Sequence, residues 1–530
     1  MGVGPPGEAA AVVIGAGLAG LRAARTLQQA LGAGSQGRVV VVEAGETVGG
    51  RVRDLRGVAP GPVQLGAEFL HGRDHSLLFQ QLEVDIPPTP RGGDCPRHAP
   101  RAPRPVRPAR PASIHFFCGS CKSDGTGAPP PLGPEQALTS SLLRRRRLRR
   151  RRRLARAQAW GWELQERDWP NYYWWGGRER RLLGPDGDAR LDRVHALFEG
   201  LWGTVSAPDV SCLEWLRQQG CTADELAAAE TCYANDFGCS LRELGVHEMI
   251  QEIRNWVYGP LYLISTGHSL ADAPRRMAEG LEVHCQWPVQ RVEYGMGGAG
   301  ACVVHGPGGA SVRCGAVIVT VPVSILRDGD IAFEPPLPAA KTLAARRIRM
   351  GTASKVVLVF SKAFWPEDFF DVCCMNEFIA EFWVVQCPPD AAGHASTGAG
   401  ECVLVGFQAG DGARAMEQLP DAEVARRACE QLDRIFGPGS PASGRLLRSA
   451  VKHWSREPHI RGAYSFPAAG VGPLDRRELA APVAGALFFA GEATHIGVNP
   501  CMQAALETGD RAASEAARVL HAHRLPPSRL

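Results

Sequence analysis

Near the N-terminus the apolar run Ala11-Val12-Val13-Ile14 passes without a break into Gly15-Ala16-Gly17-Leu18-Ala19-Gly20. A short run of that composition suits a buried parallel strand, and Leu18, Leu21, Ala24 and Leu27 then recur at helical spacing. A second β-rich run, Arg38 to Val42, ends in Glu43, 23 residues after the last glycine. Strand, glycine turn, helix, strand and terminal acid in that order predict a dinucleotide-binding unit. Gly15 permits the tight turn, Gly17 lets backbone approach a pyrophosphate, and Gly20 allows close helix packing. The free amides at the helix start face the phosphates. Glu43 accepts the adenosine ribose hydroxyls, and an acid where a 2′-phosphate would sit argues against NADP.

A chain of 530 residues holds more than that unit; at roughly 100 to 200 residues per domain, two or three packed units are expected. With 45% hydrophobic and 22% charged residues the composition is that of a globular protein rather than a fibrous or wholly disordered one. No apolar stretch approaches the roughly 18 residues that span a bilayer, and no basic flank followed by a removable apolar segment opens the chain, so a soluble, unsecreted protein without membrane contact is expected. The 16 cysteines lack dense spacing and read as free thiols. Cys118 and Cys121 form one C-x-x-C without a second pair, so no metal is expected.

The net charge of +4 is unevenly distributed. Residues 91–156 carry 17 Lys and Arg against 3 Asp and Glu, which leaves 42 against 52 elsewhere. An acidic body favours cationic small molecules over nucleic acid. From about Thr89 to Arg156 the sequence alternates Pro, Arg, Gly and Ala and then runs through Arg144–Arg147 and Arg149–Arg153, with no period that builds a core. Clustered like charges repel, so a disordered low-complexity insertion is expected rather than a nucleic-acid patch.

Gly49-Gly50-Arg51 follows Glu43 closely and supplies a backbone able to pass near a dinucleotide, with an Arg to meet its charge. Gln64 to Gly72 reads Gln-Leu-Gly-Ala-Glu-Phe-Leu-His-Gly. With these motifs the sequence resembles the flavin-containing amine oxidases, most of all the polyamine oxidases. The resemblance implies FAD held by Gly15, Gly17, Gly20, Glu43 and Arg51, and it places His71 on the family's active-site histidine. An isolated histidine is otherwise more often structural. It also implies that Val289, in Pro288-Val289-Gln290, lies against the adenine, although the family's G-G-aromatic is only Thr266-Gly267-His268 here. Lys355 heads an apolar alternating strand, and in the resemblance it holds a water against the flavin's reactive nitrogen.

Trp454, Arg461-Gly462-Ala463-Tyr464-Ser465-Phe466 and Leu487 to His495 follow in the family's order. They imply an active-site Tyr464, a Glu492 near the dinucleotide, and a helix from Ala504 to Val519, just after Met502, aimed at the isoalloxazine, where its dipole favours reduced flavin. Cys501 stands where many relatives place an aromatic wall, leaving Tyr464 as the one evident aromatic. Non-covalent attachment is implied, because no cysteine occupies the Gly-Glu-Ala-Thr neighbourhood.

The implied fold is α/β, of amine-oxidase type. A discontinuous Rossmann-like FAD-binding domain (10–88, 266–335 and 471–520) joins an α+β substrate domain (a helical part, 157–265, and a sheet part, 336–470). The insertion is 89–156 and the tail 521–530. Leu191 to Gly259 carries apolar residues three and four apart and predicts helices, without the heptads of a coiled-coil tower.

The implied reaction takes a hydride from a small cationic amine to FAD, hydrolyses the imine to aldehyde and amine, and reduces oxygen to hydrogen peroxide. A histone-lysine demethylase, a flavin desaturase or protoporphyrinogen-type oxidase, and a non-catalytic chromatin-binding flavoprotein stand as alternatives. Lys355 and His71 argue against the last two. The final residues, Ser528-Arg529-Leu530, resemble the Ser-Lys-Leu address read by the peroxisomal import receptor, so a peroxisomal location is expected before a cytoplasmic one.

Overall fold

The structure is a computed structural model, and it describes residues 7–32, 37–71, 154–157, 162–167, 171–201, 209–255, 261–264, 268–295, 301–366, 369–386, 400–437, 439, 441–498 and 500–524. The basic segment 89–153, Cys118 and Cys121, Gly267 and the terminal Ser528-Arg529-Leu530 lie outside the described residues. Among the described residues no helix is long and apolar enough to cross a membrane.

One eight-stranded sheet is built around the glycine turn. Glu8–Ile14 runs parallel to Val39–Val42 on one side and to Ser311–Val319 on the other; Glu282–His284 and Leu487–Phe489 extend the parallel set at its two ends. Cys302–His305 and Arg291–Tyr294 add an antiparallel ribbon, with Ala332–Glu334 beside it. The strands at the centre read Val-Val-Val-Val and Ala-Val-Ile-Val because both faces are covered. Helices Leu18–Leu31, Asp272–Ala278 and Met502–Arg524 share one core with the sheet's upper face. Gly509 is needed at that helix crossing: a Cβ there would lie 2.5 Å from the carbonyl oxygen of Ala19. The expected helix from Ala504 to Val519 runs from Met502 to Arg524, past the boundary drawn at 520.

The second sheet has seven strands in the order Leu446–His453, Ala353–Phe360, Cys402–Ala409, Glu381–Gln386, Asp371–Met375, Asn171–Trp175 and Arg181–Leu183. Ala353–Phe360 is buried at every position, not alternately buried and exposed. Its two faces serve two cores: Val356, Leu358 and Phe360 pack under helix Asp421–Phe436, while Val357 and Val359 meet Val63 and Trp383.

Residues 157–265 are not uniformly helical. Helices Ala189–Leu201, Cys212–Gln218, Ala223–Ala229 and Val246–Asn255 occupy their later part. Asn171–Trp175 instead pairs in parallel with Asp371–Met375, and a Trp162–Arg167 strand pairs with Leu154–Ala157, inside the stretch assigned to the insertion. The aromatic run Asn-Tyr-Tyr-Trp-Trp has strand propensity and forms a local antiparallel hairpin with Arg181–Leu183, but its parallel partner lies 200 residues away, so no local pattern announces that second pairing. The cysteines need a correction as well: Cys402 is in a disulfide, while the other described cysteines are free thiols.

Candidate active site

The glycine turn has the geometry its residue types require. Gly15 has φ of +104°, and a Cβ there would lie 2.7 Å from Thr320 Oγ1. A Cβ at Gly20 would approach the Gly15 carbonyl oxygen to 1.9 Å, so the helix can sit against the strand only with glycine at that position. At Gly17 a Cβ would meet nothing within 4 Å, and the residue lines a large cavity. That opening, at the start of helix Leu18–Leu31, lets a phosphate come against backbone amides.

Glu43 lines the same cavity. Its carboxylate accepts the Ala16 amide at 2.7 Å and the Gly45 amide at 2.8 Å, one on each oxygen. Each oxygen keeps lone pairs for a pair of ribose hydroxyls. Arg51 donates through Nη1 to the Ala463 carbonyl at 3.0 Å and to Glu492 Oε1 at 2.8 Å, leaving the rest of its fork for phosphate oxygens. Glu492 is buried and accepts from Ser465 as well, so it orients Arg51 as much as it faces the cavity. Open backbone at Gly17, an acid at the strand end and an anchored Arg together fit an FAD adenosine diphosphate.

Lys355, His71, Tyr464 and Met502 line this cavity too, together with Cys501. Gly20 and Val289 do not. Gly20 works behind the turn. Val289 belongs to the core with Val42, Trp287 and Val292, and the backbone that runs beside Glu43 is that of Gln286 and Trp287, bonded to Gly45 and Glu43. Val289, the residue read as the adenine contact, follows two residues after Trp287, which bonds the Glu43 carbonyl.

Lys355 is buried and paired, not a strand-end charge. Its ammonium donates to Glu68 at 2.7 Å, to the Gly66 carbonyl at 2.9 Å and to the Gln64 carbonyl at 3.2 Å. Those three bonds use its three hydrogens, so it can hold a water only by giving up one of them, the longest being that to Gln64. The ammonium also lies 5.3 Å from the centre of the Trp383 ring.

Tyr464 is one aromatic of several. Phe69, Trp383, Phe407 and Trp454 line the cavity beside it, with Trp383 5.8 Å from Phe69 and 6.1 Å from Phe407 between ring centres. Lys355, Phe407 and Glu381 are register partners across three adjacent strands and so stand in a row on one sheet face. Glu381 lines the cavity, and its carboxylate, that of Asp371 and the Cys373 thiol lie within 4.8 Å of one another. Sequence reading missed these residues because they meet only through strand register. It also missed Asp236, which follows a π-helical turn, Glu230–Ala234, of the kind that often marks functional sites. The Tyr464 hydroxyl donates to the Asp236 carbonyl at 2.8 Å, and Gly238 leaves the ring room: a Cβ there would lie 2.7 Å from Tyr464 Cε2. Burial raises the Tyr464 phenol well above its ordinary value, so it stays protonated.

Enclosure in the cavity wall pushes the His71 imidazole down to about 4 from 6.5, which leaves it neutral at physiological pH. Between those two values the unfolded chain binds the extra proton. The contribution of this histidine to stability is thus complete above pH 6.5 and lost as pH falls toward 4. His71→Gln should flatten the dependence of the urea midpoint on pH across that window. An unchanged slope would show that His71 is not the group responsible.

The family model for flavin containing amine oxidoreductase matches residues 18–517. The bovine peroxisomal N(1)-acetyl-spermine/spermidine oxidase is 36% identical over 224 residues, covering 37% of this chain and 41% of that protein. The Arabidopsis thaliana lysine-specific histone demethylase 1 homolog 3 is 28% identical over 539 residues, covering 97% of this chain and 30% of that protein. The matches thus span less than half of either relative's length. Among solved structures, cyclohexylamine oxidase from Brevibacterium oxydans superimposes with a TM-score of 0.67 over 97% of this chain and all of that one. Putrescine oxidase bound to putrescine does so with a TM-score of 0.65 over 96% of this chain and 99% of that one. At 18% identity both show a shared fold. A match over nearly the whole sequence, on a fold whose glycine turn, strand-end acid and anchored Arg suit FAD, makes this chain a member of the flavin-containing amine oxidoreductase family.

Proposed function

We propose that the protein oxidises a C–N bond of a small cationic amine, a polyamine first of all, with FAD bound non-covalently and oxygen as the final acceptor. FAD, when bound, takes a hydride from the carbon next to nitrogen and passes the electrons to oxygen, giving hydrogen peroxide. The observation that carries the reading is the row Lys355, Phe407 and Glu381, in the same cavity as the glycine turn.

The protein's part follows from that row. The aromatic faces of Trp383, Phe407 and Tyr464 take up methylene groups and a cation. Glu381, two strand spacings or roughly 10 Å from Lys355, offers a negative end to a second ammonium. The reacting nitrogen must lose its proton to solvent before a hydride can leave the neighbouring carbon, and the neutral imidazole of His71 offers that uncharged amine a hydrogen-bond partner in the cavity. Burial pushes the Cys501 thiol up, away from the thiolate that covalent attachment would need.

Peroxide release across spermine, spermidine, their acetylated forms, a monoamine and a methyl-lysine peptide tests the reading. A polyamine should be oxidised fastest. Glu381→Gln should raise its KM by at least about tenfold, the scale of one charge-assisted contact, with the monoamine little affected. The peptide enters because the demethylase homolog matches along 97% of this chain; turnover of the peptide alone would replace the polyamine reading with that one. Release from none of them would end both.

We also propose a peroxisomal location, from Ser528-Arg529-Leu530 and the match to a peroxisomal oxidase. A fluorescent protein fused ahead of residue 1 should give puncta that disperse when Leu530 is deleted; a diffuse or nuclear signal from the intact tail contradicts it.

A further inference from the structure

We propose that Arg476 is a positioning residue for the dinucleotide, acting through Ser465 and Glu492 on Arg51. Arg476 lies on helix Pro473–Ala480 and is wholly buried. Its Nε and Nη2 face the carboxylate of Glu248, itself buried, on helix Val246–Asn255. Its Nη1 donates to Ser465 Oγ and to the Ala493 carbonyl, each at 3.1 Å. Ser465 Oγ donates to Glu492 Oε2 at 2.6 Å, the Ser465 amide to Glu492 Oε1 at 3.2 Å, and Arg51 Nη1 to the same Oε1 at 2.8 Å. One connected line of hydrogen bonds therefore runs from the helical block to the cavity wall.

The chemistry of the donors fixes its direction. A guanidinium only donates, so Ser465 Oγ accepts from Arg476, and the single hydroxyl hydrogen is left to point at Glu492. Glu492, met on both oxygens, is held in one rotamer, and that rotamer sets where Arg51 stands. A buried ion pair is a poor source of stability against apolar residues of equal volume. The pair Glu248 and Arg476 makes sense as an orienting device, because Glu248 occupies two faces of the fork and leaves the third aimed at Ser465. The inference rests on the reading of Arg51 as a ligand of the FAD phosphates.

The test is the dissociation constant of FAD, measured by flavin fluorescence on deflavinated and reconstituted protein, alongside the thermal midpoint of the flavin-free form. Arg51→Ala checks the underlying reading and should weaken FAD; unchanged affinity would remove that reading and this proposal with it. Ser465→Ala should weaken FAD by about tenfold, the scale of one lost charge-assisted hydrogen bond, and should also lower the flavin-free midpoint, because it leaves buried atoms of Arg476 and Glu492 short of a partner. Ser465→Thr, which keeps the hydroxyl, should restore wild-type affinity. Arg476→Lys keeps the charge but loses the fork and should weaken FAD to a similar extent; combined with Ser465→Ala it should add nothing, because both break the same link. If weakening by Arg51→Ala is found while Ser465→Ala binds FAD normally, or if Arg476→Lys and Ser465→Ala add fully, the proposal is overturned. Should Arg476→Lys fail to fold, the Ala and Thr variants at 465 decide alone.

Discussion

Lys355→Met is expected to leave FAD bound and to slow amine oxidation by on the order of 10² to 10³-fold, the scale seen when one preorganised charged or polar group is removed from a reacting centre. The side chain lies in a cavity wall, in line with Phe407 and Glu381, and holds Glu68, Gly66 and Gln64 in place. Two effects have to be separated. Removing the ammonium strands the Glu68 carboxylate, only 6% exposed, and breaking a buried pair costs about 3 to 5 kcal/mol of folding stability. Lys355→Met with Glu68→Gln removes that stranded charge. The double variant should recover much of the stability while keeping the slow rate, as seen in stopped-flow traces of flavin reduction and reoxidation. If both half-reactions kept wild-type rates, Lys355 would be a structural cation and no more.

Gly66→Ala is expected to abolish flavin retention. A Cβ at Gly66 would sit 1.7 Å from the Arg51 carbonyl oxygen and 3.1 Å from Trp454 Cζ2. The first contact is with backbone, so it cannot be relieved by turning a side chain. The chain must part between Arg51, assigned to the phosphates, and the Gly66 carbonyl, which accepts from Lys355 at 2.9 Å. Overpacking of this kind costs about 1 to 3 kcal/mol or more, and each 1.4 kcal/mol taken from FAD binding is about tenfold in affinity. The visible flavin absorbance of purified protein, compared with Gly184→Ala, checks it. A Cβ at Gly184 would meet nothing within 4 Å, so that control should keep its flavin. Equal flavin content in the two variants would contradict the packing argument.

The reach of the sequence can be judged from these residues. Gly15, Gly17, Gly20 and Glu43 were legible because the unit that holds them is contiguous and each residue type answers a local backbone demand. Arg51, Glu492 and Tyr464 were legible as members of short motifs. What stayed hidden was whatever depends on register across the second sheet. Nothing in the local surroundings of Glu381 or Phe407 says that they stand in line with Lys355; the pairing of three strands does. Lys355 itself was recognised, but its three acceptors were not, although all of them lie within the Gln64–Gly72 motif. The backbone bonds that tie Gln286 and Trp287, just ahead of Val289, to the segment of Glu43 were likewise hidden, because they join stretches more than 240 residues apart. Of the strands between Leu154 and Leu183, in a segment read as insertion and helix, the same reason accounts for Asn171–Trp175, whose parallel pairing with Asp371–Met375 leaves no mark at either end; the local pairs Leu154–Ala157 with Trp162–Arg167 and Asn171–Trp175 with Arg181–Leu183 were overlooked.

The most direct measurement is anaerobic mixing of the purified holoenzyme with the amine panel, following the visible absorbance of the flavin. The purified protein should be yellow, and acid should release free FAD from it. At least one polyamine should bleach that absorbance without any nicotinamide cofactor, and admitting air should restore it with release of hydrogen peroxide. A folded, FAD-loaded protein whose flavin stays oxidised with every amine and with the methyl-lysine peptide would contradict the proposed function.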